Sequence, residues 1–442
     1  MISREVELNR RGHNPWMWIP SLCVAEEIPS AVVTYVALVM FLQFGASESL
    51  ASLYSALLFL PWMIKSFLYT KARRVESVRW RIFTVELCML LILMLTAIVL
   101  SNGIVRHWQL FALMLVLSLL CAWHELFSRL YYSRMLHPRQ QRVFRATKAA
   151  FSFASLVLTY GLLIILAGFF EVFFRGYKKA WAMESSIVAG GFLVVVIVNA
   201  LVLKSSHKSV SISRANASSN KEEAMKTIDK LTSLPHSGRL LASLFFLLLP
   251  QALIFNTRVF FLLSPESDGG LGCSLQDVGY AQGSVGVLAF AVGMTLGRYL
   301  MRLRGYVALH VLASGIILLS PVAYTLMALW PQPDNLFLIC CTTFFAQFCF
   351  GFGLNACNAY VRYFSRNRYS NTTNILYIPV VASMMLLPMS VSGWLCMLMG
   401  YQMYFSLCSL SIPIVWMIVW LCNPNAVLFH PSALKGCLIE RS

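Results

Sequence analysis

The chain has 442 residues, 58% of them apolar and only 12% charged, and a formal net charge of +17. Soluble domains carry about 45–50% apolar and about 25% charged residues, so a chain this poor in charge must take lipid as its solvent. Twelve membrane helices of about 22 residues would use roughly 264 positions, which leaves no length for a sizeable soluble enzyme domain.

The apolar runs predict membrane helices near 18–44, 49–69, 80–101, 107–134, 146–174, 184–203, 240–263, 276–301, 304–329, 335–361, 370–395 and 399–422. The expected fold class is an all-α polytopic membrane protein with twelve spans in two six-helix bundles. Its parts are a cytoplasmic N-terminal tail (1–17), a first bundle (18–203), a cytoplasmic linker (204–239), a second bundle (240–422) and a cytoplasmic C-terminal tail (423–442). Of the 35 Lys and Arg, 30 fall on the tails and even-numbered connections, against Arg106, Arg175, Lys178 and Lys179 on the odd ones. Basic residues gather on the cytoplasmic side, so this asymmetry predicts that both termini are inside. Much of the positive charge is therefore topology, with the rest available to anionic lipid heads, and a nucleic-acid partner is not expected.

The first apolar run is too long for a cleavable signal peptide and reads as the first membrane helix. The twelve cysteines contain no CxxC and lie mostly within spans, as small apolar packing residues do; no metal site is expected. The linker is rich in Ser and then charged from Lys221 to Lys230, a composition that cannot bury enough apolar area to form a core. Six helices on each side of such a linker is the layout of the major facilitator superfamily, whose substrate site lies between two related halves. Both halves place a basic cluster after their second helix: Lys71, Arg73 and Arg74 in the first, Arg298, Arg302 and Arg304 in the second. With Lys65 and Arg129 these are the expected inner hinge and gate. Gly279 and Gly283, then Gly293 and Gly297, are each four residues apart, so each pair shares a helix face and admits a close neighbour. Pro29, Pro61, Pro250 and Pro388, with Gly351 and Gly353, mark expected bends.

Several stretches, in order along nearly the whole chain, resemble the muropeptide permease (AmpG-type) family of that superfamily, especially its versions in Bacteroides-like bacteria. They are Ala25-Glu26-Glu27-Ile28-Pro29, Leu60-Pro61-Trp62-Met63-Ile64-Lys65, His124-Glu125, Gly269-Gly270-Leu271-Gly272, Gly283-Ser284-Val285-Gly286, Gln347-Phe348-Cys349-Phe350-Gly351-Phe352-Gly353, and finally Ser392-Gly393 with Gly400-Tyr401. The resemblance implies a permease of a bacterial cytoplasmic membrane. The chain departs from the family where acids are usual: Arg73-Arg74, Arg129, Gln251 and Ala346 stand at such places, which puts the coupling mechanism in question.

A charge near the bilayer centre costs about 2.5–3.5 kcal/mol on the insertion scale, so each intramembrane ionisable group suggests function. Glu26 and Glu27 lie about 12 Å into the first span at 1.5 Å per residue, and Glu26, at the family position, is the first choice for a proton-coupling carboxylate. The bland alternative pairs them with Lys65 or Arg129. His124 and Glu125 form a second proton-coupling candidate, with His124 equally readable as a packing histidine, and Arg129 one turn on as a natural partner for Glu125. Arg258 either meets an anionic substrate group or snorkels to the outer surface. Candidates for holding a sugar by amides and aromatic faces are Trp123, Tyr160, Gln251, Asn256, Gln347, Asn355, Asn358 and Tyr360.

The expected function is a monomeric secondary transporter importing an amino-sugar, muropeptide-like or oligosaccharide solute, with no cofactor beyond a coupling proton. The alternative is a transport-impaired binding or regulatory membrane protein. An enzyme is not expected: Gly283-Ser284-Val285-Gly286 is not G-x-S-x-G, and neither H-E-x-x-H nor a Walker A loop occurs.

Overall fold

The computed structural model describes residues 15–72, 77–103, 105–136, 138–204, 237–304, 314–364 and 370–422. They are almost wholly helical. In chain order the helices are α1 (Pro15–Gln43), α2 (Glu48–Leu58), α3 (Leu60–Ala72), α4 (Val78–Ser101), α5 (His107–Met135), α6 (Pro138–Phe174) and α7 (Tyr177–Val202). After the linker come α8 (Ser237–Leu263), α9 (Leu275–Arg304), α10 (Ser320–Leu329), α11 (Leu336–Phe364), α12 (Ser370–Met399), α13 (Tyr401–Leu410) and α14 (Ile412–Cys422). Among the described residues ten helical stretches are long and apolar enough to cross a membrane. The chain is a multi-pass membrane protein. The expected second span is instead two short helices. Pro61 has no N–H to give to Leu57, and the ladder breaks at Phe59, whose own N–H bonds Ala56 O at 3.0 Å. The first part of the expected ninth span, with most of the linker and both tails, lies outside the described residues.

Two helices contain π turns, Val32–Val36 in α1 and Gly279–Val285 in α9. Pro29 sits one turn before the first, and the second takes up Gly279 and Gly283, so that pair marks a widened turn of its own helix. Such turns are uncommon and recur at functional sites. α6, at 37 residues, is about 55 Å long at 1.5 Å per residue and overreaches a hydrocarbon core of about 30 Å.

The chain forms two compact units, Met1–Gly45 with Phe67–Asn216, and Ala46–Ser66 with Ala217–Ser442. In the first, α4 packs on α7 and α5, and α6 on α7 and α1. Its core joins Trp18, Leu22, Ile82, Phe127, Tyr131 and Leu203. In the second, α9 lies along α11, α12 packs on α2 and α8, and α10 on α11 and α13. Lipid removes the water-driven gain from burying apolar faces, so close approach and polar contacts must hold helices together. The α9–α11 crossing shows how. A Cβ on Gly293 would meet Phe348 O and lie 2.9 Å from Phe352 N, one on Gly297 would lie 3.0 Å from Phe352 O, and one on Gly351 would reach the Phe290 backbone. Phe337, Val172 and Leu201 are among many large apolar side chains left exposed, at 78%, 72% and 75%, as a lipid-facing surface requires.

Candidate functional site

In the first unit the polar side chains gather at three levels. At one, His124 of α5 is fully buried, its Nε2 3.0 Å from Oε1 of Glu86 on α4. Asn199 Nδ2 of α7 donates to the same oxygen at 2.7 Å, and Ser21 Oγ of α1 donates to Asn199 Oδ1 at 2.5 Å. Ser128 Oγ lies 3.5 Å from His124 Nδ1. Four helices thus share one buried network, and His124 is a core residue of it. The sequence reading missed Glu86 and Asn199. The single carboxylate of α4, eight residues in and past Arg79 and Arg81, was the available signal, by the same cost argument that singled out Glu26.

At the second level Ser152 Oγ of α6 donates to Glu27 Oε1 at 2.7 Å, while Glu26 is half-buried beside it on α1. Arg129 Nη2 donates to Glu125 Oε1 at 2.6 Å, the one-turn pairing expected from their spacing. Trp123 stacks on Phe127 with centroids 5.6 Å apart. At the third level Tyr160 of α6 hydrogen-bonds Thr34 and stacks on Tyr35, with centroids 5.4 Å apart and planes 15° apart. Both partners belong to the π turn of α1, so the widened backbone presents an aromatic face and a hydroxyl together.

In the second unit Arg258 of α8 is only 7% exposed. That corrects the snorkelling reading: its guanidinium turns inward, over the Phe255 ring at 5.0 Å. With the Gln347 amide oxygen facing it, Gln347 Oε1 of α11 accepts from Arg258 Nη2 at 3.0 Å. Two residues before Arg258, Asn256 is fully buried and accepts from Ser55 of α2 at 3.2 Å, while its Nδ2 has no hydrogen-bond partner. Gln251 accepts from Ser320 Oγ of α10 at 2.8 Å. Asn355 spends its amide on backbone carbonyls, Met294 O at 3.2 Å and Phe352 O at 3.0 Å, and so fastens α11 to α9. Lys65, on α3, is 2% exposed.

Arg298 is exposed on α9. The side chains of Asn358, Tyr360 and Arg302, and Arg73 and Arg74 altogether, lie outside the described residues. No sequence signal marked a further cluster at the start of α2. There Glu48 accepts from Tyr401 Oη and from Ser264 Oγ, the latter at 3.2 Å. A Cβ on Gly393 would collide with Glu48 O and come within 2.6 Å of Ser52 Oγ, so α12 meets α2 backbone to backbone. Burial raises the Glu48 carboxyl above its ordinary value, against the pull of the two hydroxyl donors.

No protein-family model matches this sequence, and no curated protein matches it. Solved structures do match it in shape. The nucleoside transporter NupG superposes with a TM-score of 0.67 at 12% identity, over 91% of this chain and 98% of that one. A bacterial homologue of the human lysosomal transporter Spinster, inward-facing and unoccupied, gives 0.67 at 15% identity over 95% and 96% of the two chains. A D-xylose–proton symporter gives 0.63 at 13% identity, over 91% and 97%. Identities this low speak for architecture alone, and over nearly the full length the chain shares the fold of these transporters.

Proposed function

We propose that the chain is a secondary active transporter with twelve spans and cytoplasmic termini in a bacterial inner membrane. It imports a small polar solute of the amino-sugar, muropeptide or oligosaccharide class by alternating access, with protons as the coupling ion. The single observation carrying this reading is a transporter fold matched over more than nine-tenths of the chain. The matched proteins include a nucleoside transporter and a D-xylose–proton symporter, whose solutes are polar and hydroxyl-rich. Tyr160 with Tyr35 supplies a flat aromatic face of the kind a sugar ring stacks on, and Arg258 with Gln347 and Asn256 supplies a cation and amides suited to a carboxylate or acetamido group. Glu26 remains the first choice for the coupling carboxylate, because Glu86 and Glu125 are engaged by His124, Asn199 and Arg129.

The test is uptake into proteoliposomes of anhydro-muropeptides, amino-sugars and glycan disaccharides under an imposed inward proton gradient. One of these classes accumulates in the wild type, and Glu26→Gln abolishes gradient-driven uptake while leaving solute exchange intact. Normal gradient-driven uptake by Glu26→Gln removes the role of that residue. The Arg129–Glu125 pair favours the second reading, a transport-impaired binding protein: a carboxylate locked to a guanidinium is withdrawn from proton traffic. Saturable solute binding with no uptake under any gradient selects it.

A further inference from the structure

The 37 residues of α6 exceed what one crossing uses, and the surplus carries charge. The stretch from Arg145 to Phe174 is about 44 Å long at 1.5 Å per residue, which matches a bilayer of about 40–45 Å with its headgroups. Arg145 therefore lies in one headgroup layer, with Arg139 just beyond it. A second observation sets the same depth. Trp16, near the start of α1, packs edge-on against Phe144 with centroids 5.7 Å apart and is 55% exposed, and exposed tryptophan settles at the headgroup level. The lipid-facing side of α6 runs unbroken to the charges: Leu158, Ala154, Ala150, Ala146, Val143 and Arg139 are all exposed, in steps of three or four residues.

This corner of the first unit is basic and fixed. From Arg129 to Lys148 the chain has six basic residues and no acid. Tyr132 Oη donates to Gln141 O at 3.2 Å and Gln141 Nε2 donates to Leu136 O at 2.9 Å, so the turn from α5 into α6 is pinned. Lys148 turns back over the Tyr132 ring at 5.3 Å, whereas Arg139 and Arg145 are exposed. Guanidinium groups bind phosphate oxygens through paired N–H bonds. A phosphate at this depth, beside an exposed tryptophan and an apolar helix face, belongs to a lipid. A zwitterionic head would bring its own ammonium to a stretch without a carboxylate to receive it, and an anionic head brings none. We propose that the Arg139–Arg145 end of α6, beside Trp16, is a docking surface for anionic phospholipid headgroups of the adjoining leaflet. The surface needs only the membrane placement of α6 and is independent of any solute carried.

The experiment titrates the purified full chain in neutral detergent with phosphatidylglycerol and with phosphatidylcholine of the same acyl chains, and reads bound lipid by native mass spectrometry. Phosphatidylglycerol binds the wild type more tightly than phosphatidylcholine. Each basic residue at an anionic surface is worth about fivefold in affinity. Arg139→Gln with Arg145→Gln should therefore weaken phosphatidylglycerol binding at least tenfold and leave phosphatidylcholine binding unchanged. Arg175→Gln with Lys179→Gln removes the same charge beyond the opposite end of α6 and should keep the wild-type preference. Equal binding of the two lipids by the wild type overturns the proposal. So does an equal loss in the Arg175 and Lys179 variant, which would mean that net charge alone attracts the lipid. Should the Arg139 and Arg145 variant fail to fold, Arg145→Gln alone decides, with an expected loss of about fivefold.

Discussion

Replacing Glu86 with Leu tests whether the four-helix network holds the first unit together. The carboxylate oxygen accepts from His124 at 3.0 Å and from Asn199 at 2.7 Å, and all three side chains are fully buried. Leu leaves two donors facing hydrocarbon, at about 1–3 kcal/mol for each stranded group. Two stranded groups therefore put the expected loss at about 2–6 kcal/mol. The pair itself contributes less than its rupture costs: interhelical polar contacts in membranes average about 0.6 kcal/mol and reach about 1.7. Glu86→Leu combined with His124→Leu should therefore recover part of the loss, with a coupling energy of about 1–2 kcal/mol. Unfolding by SDS in mixed micelles, read from the reactivity of the buried thiols Cys23 and Cys121 in the same unit, measures both quantities. A Glu86→Leu chain within about 0.5 kcal/mol of wild type, the scatter of an ordinary surface substitution, would refute the reasoning.

Three further outcomes are expected. Gly293→Val drives a side chain into the Phe348 and Phe352 backbone and should destabilise the second unit by about 1–3 kcal/mol, as overpacking does, with Gly190→Ala, where a Cβ meets nothing within 4 Å, as the neutral control in the same unfolding assay. Glu48 should give stability a pH slope: its carboxyl is raised in the folded chain by burial, so its contribution is complete below the ordinary carboxylate range and is lost as pH climbs through the folded value. Glu48→Gln should flatten that slope from about pH 4 upward in midpoints measured across pH. Tyr160→Phe, which keeps the ring on Tyr35 and removes the hydrogen bond to Thr34, should weaken solute binding less than Tyr160→Ala, as judged by titration of the solute found in uptake screening.

The membrane character and the order of the long helices were legible because lipid imposes one rule on every residue of a span, and about 20 apolar positions in a row satisfy it. Glycine spacing was partly legible for the same local reason. Gly293 and Gly297 do face α11, whereas the π turn that contains Gly279 and Gly283 was not legible in a spacing of four. Side-chain partners were readable only where both lie on one helix. Glu125 and Arg129 are one turn apart and were paired correctly, but Glu86 and His124 are 38 residues apart. Their meeting depends on how α4 packs against α5, which no local pattern encodes. For Arg258 the sequence left an inward and a snorkelling reading open for a related reason: the choice depends on the position of α11, which places Gln347 where it meets the guanidinium.

The carboxylates of the first unit divide by what holds them, and the division bears on which can move an ion. Glu86 is fixed by an imidazole and an amide, Glu125 by a guanidinium and Glu27 by a hydroxyl. Releasing Glu86 strands the fully buried His124 and Asn199 of two other helices, whereas Glu125 is held within its own helix by the partly exposed Arg129. Among the described residues Glu26 makes no hydrogen bond or ion pair, and Glu184 has one hydroxyl. Neither is held by a charged or amide partner. They sit on α1 and α7, Glu26 six residues before the π turn and Glu184 against its valines. A change in the π turn would therefore alter the surroundings of both at once. If Glu26 serves coupling, Glu26→Gln should lose the response to a proton gradient and keep solute exchange; loss of exchange as well would mean that this carboxylate acts through the shape of α1.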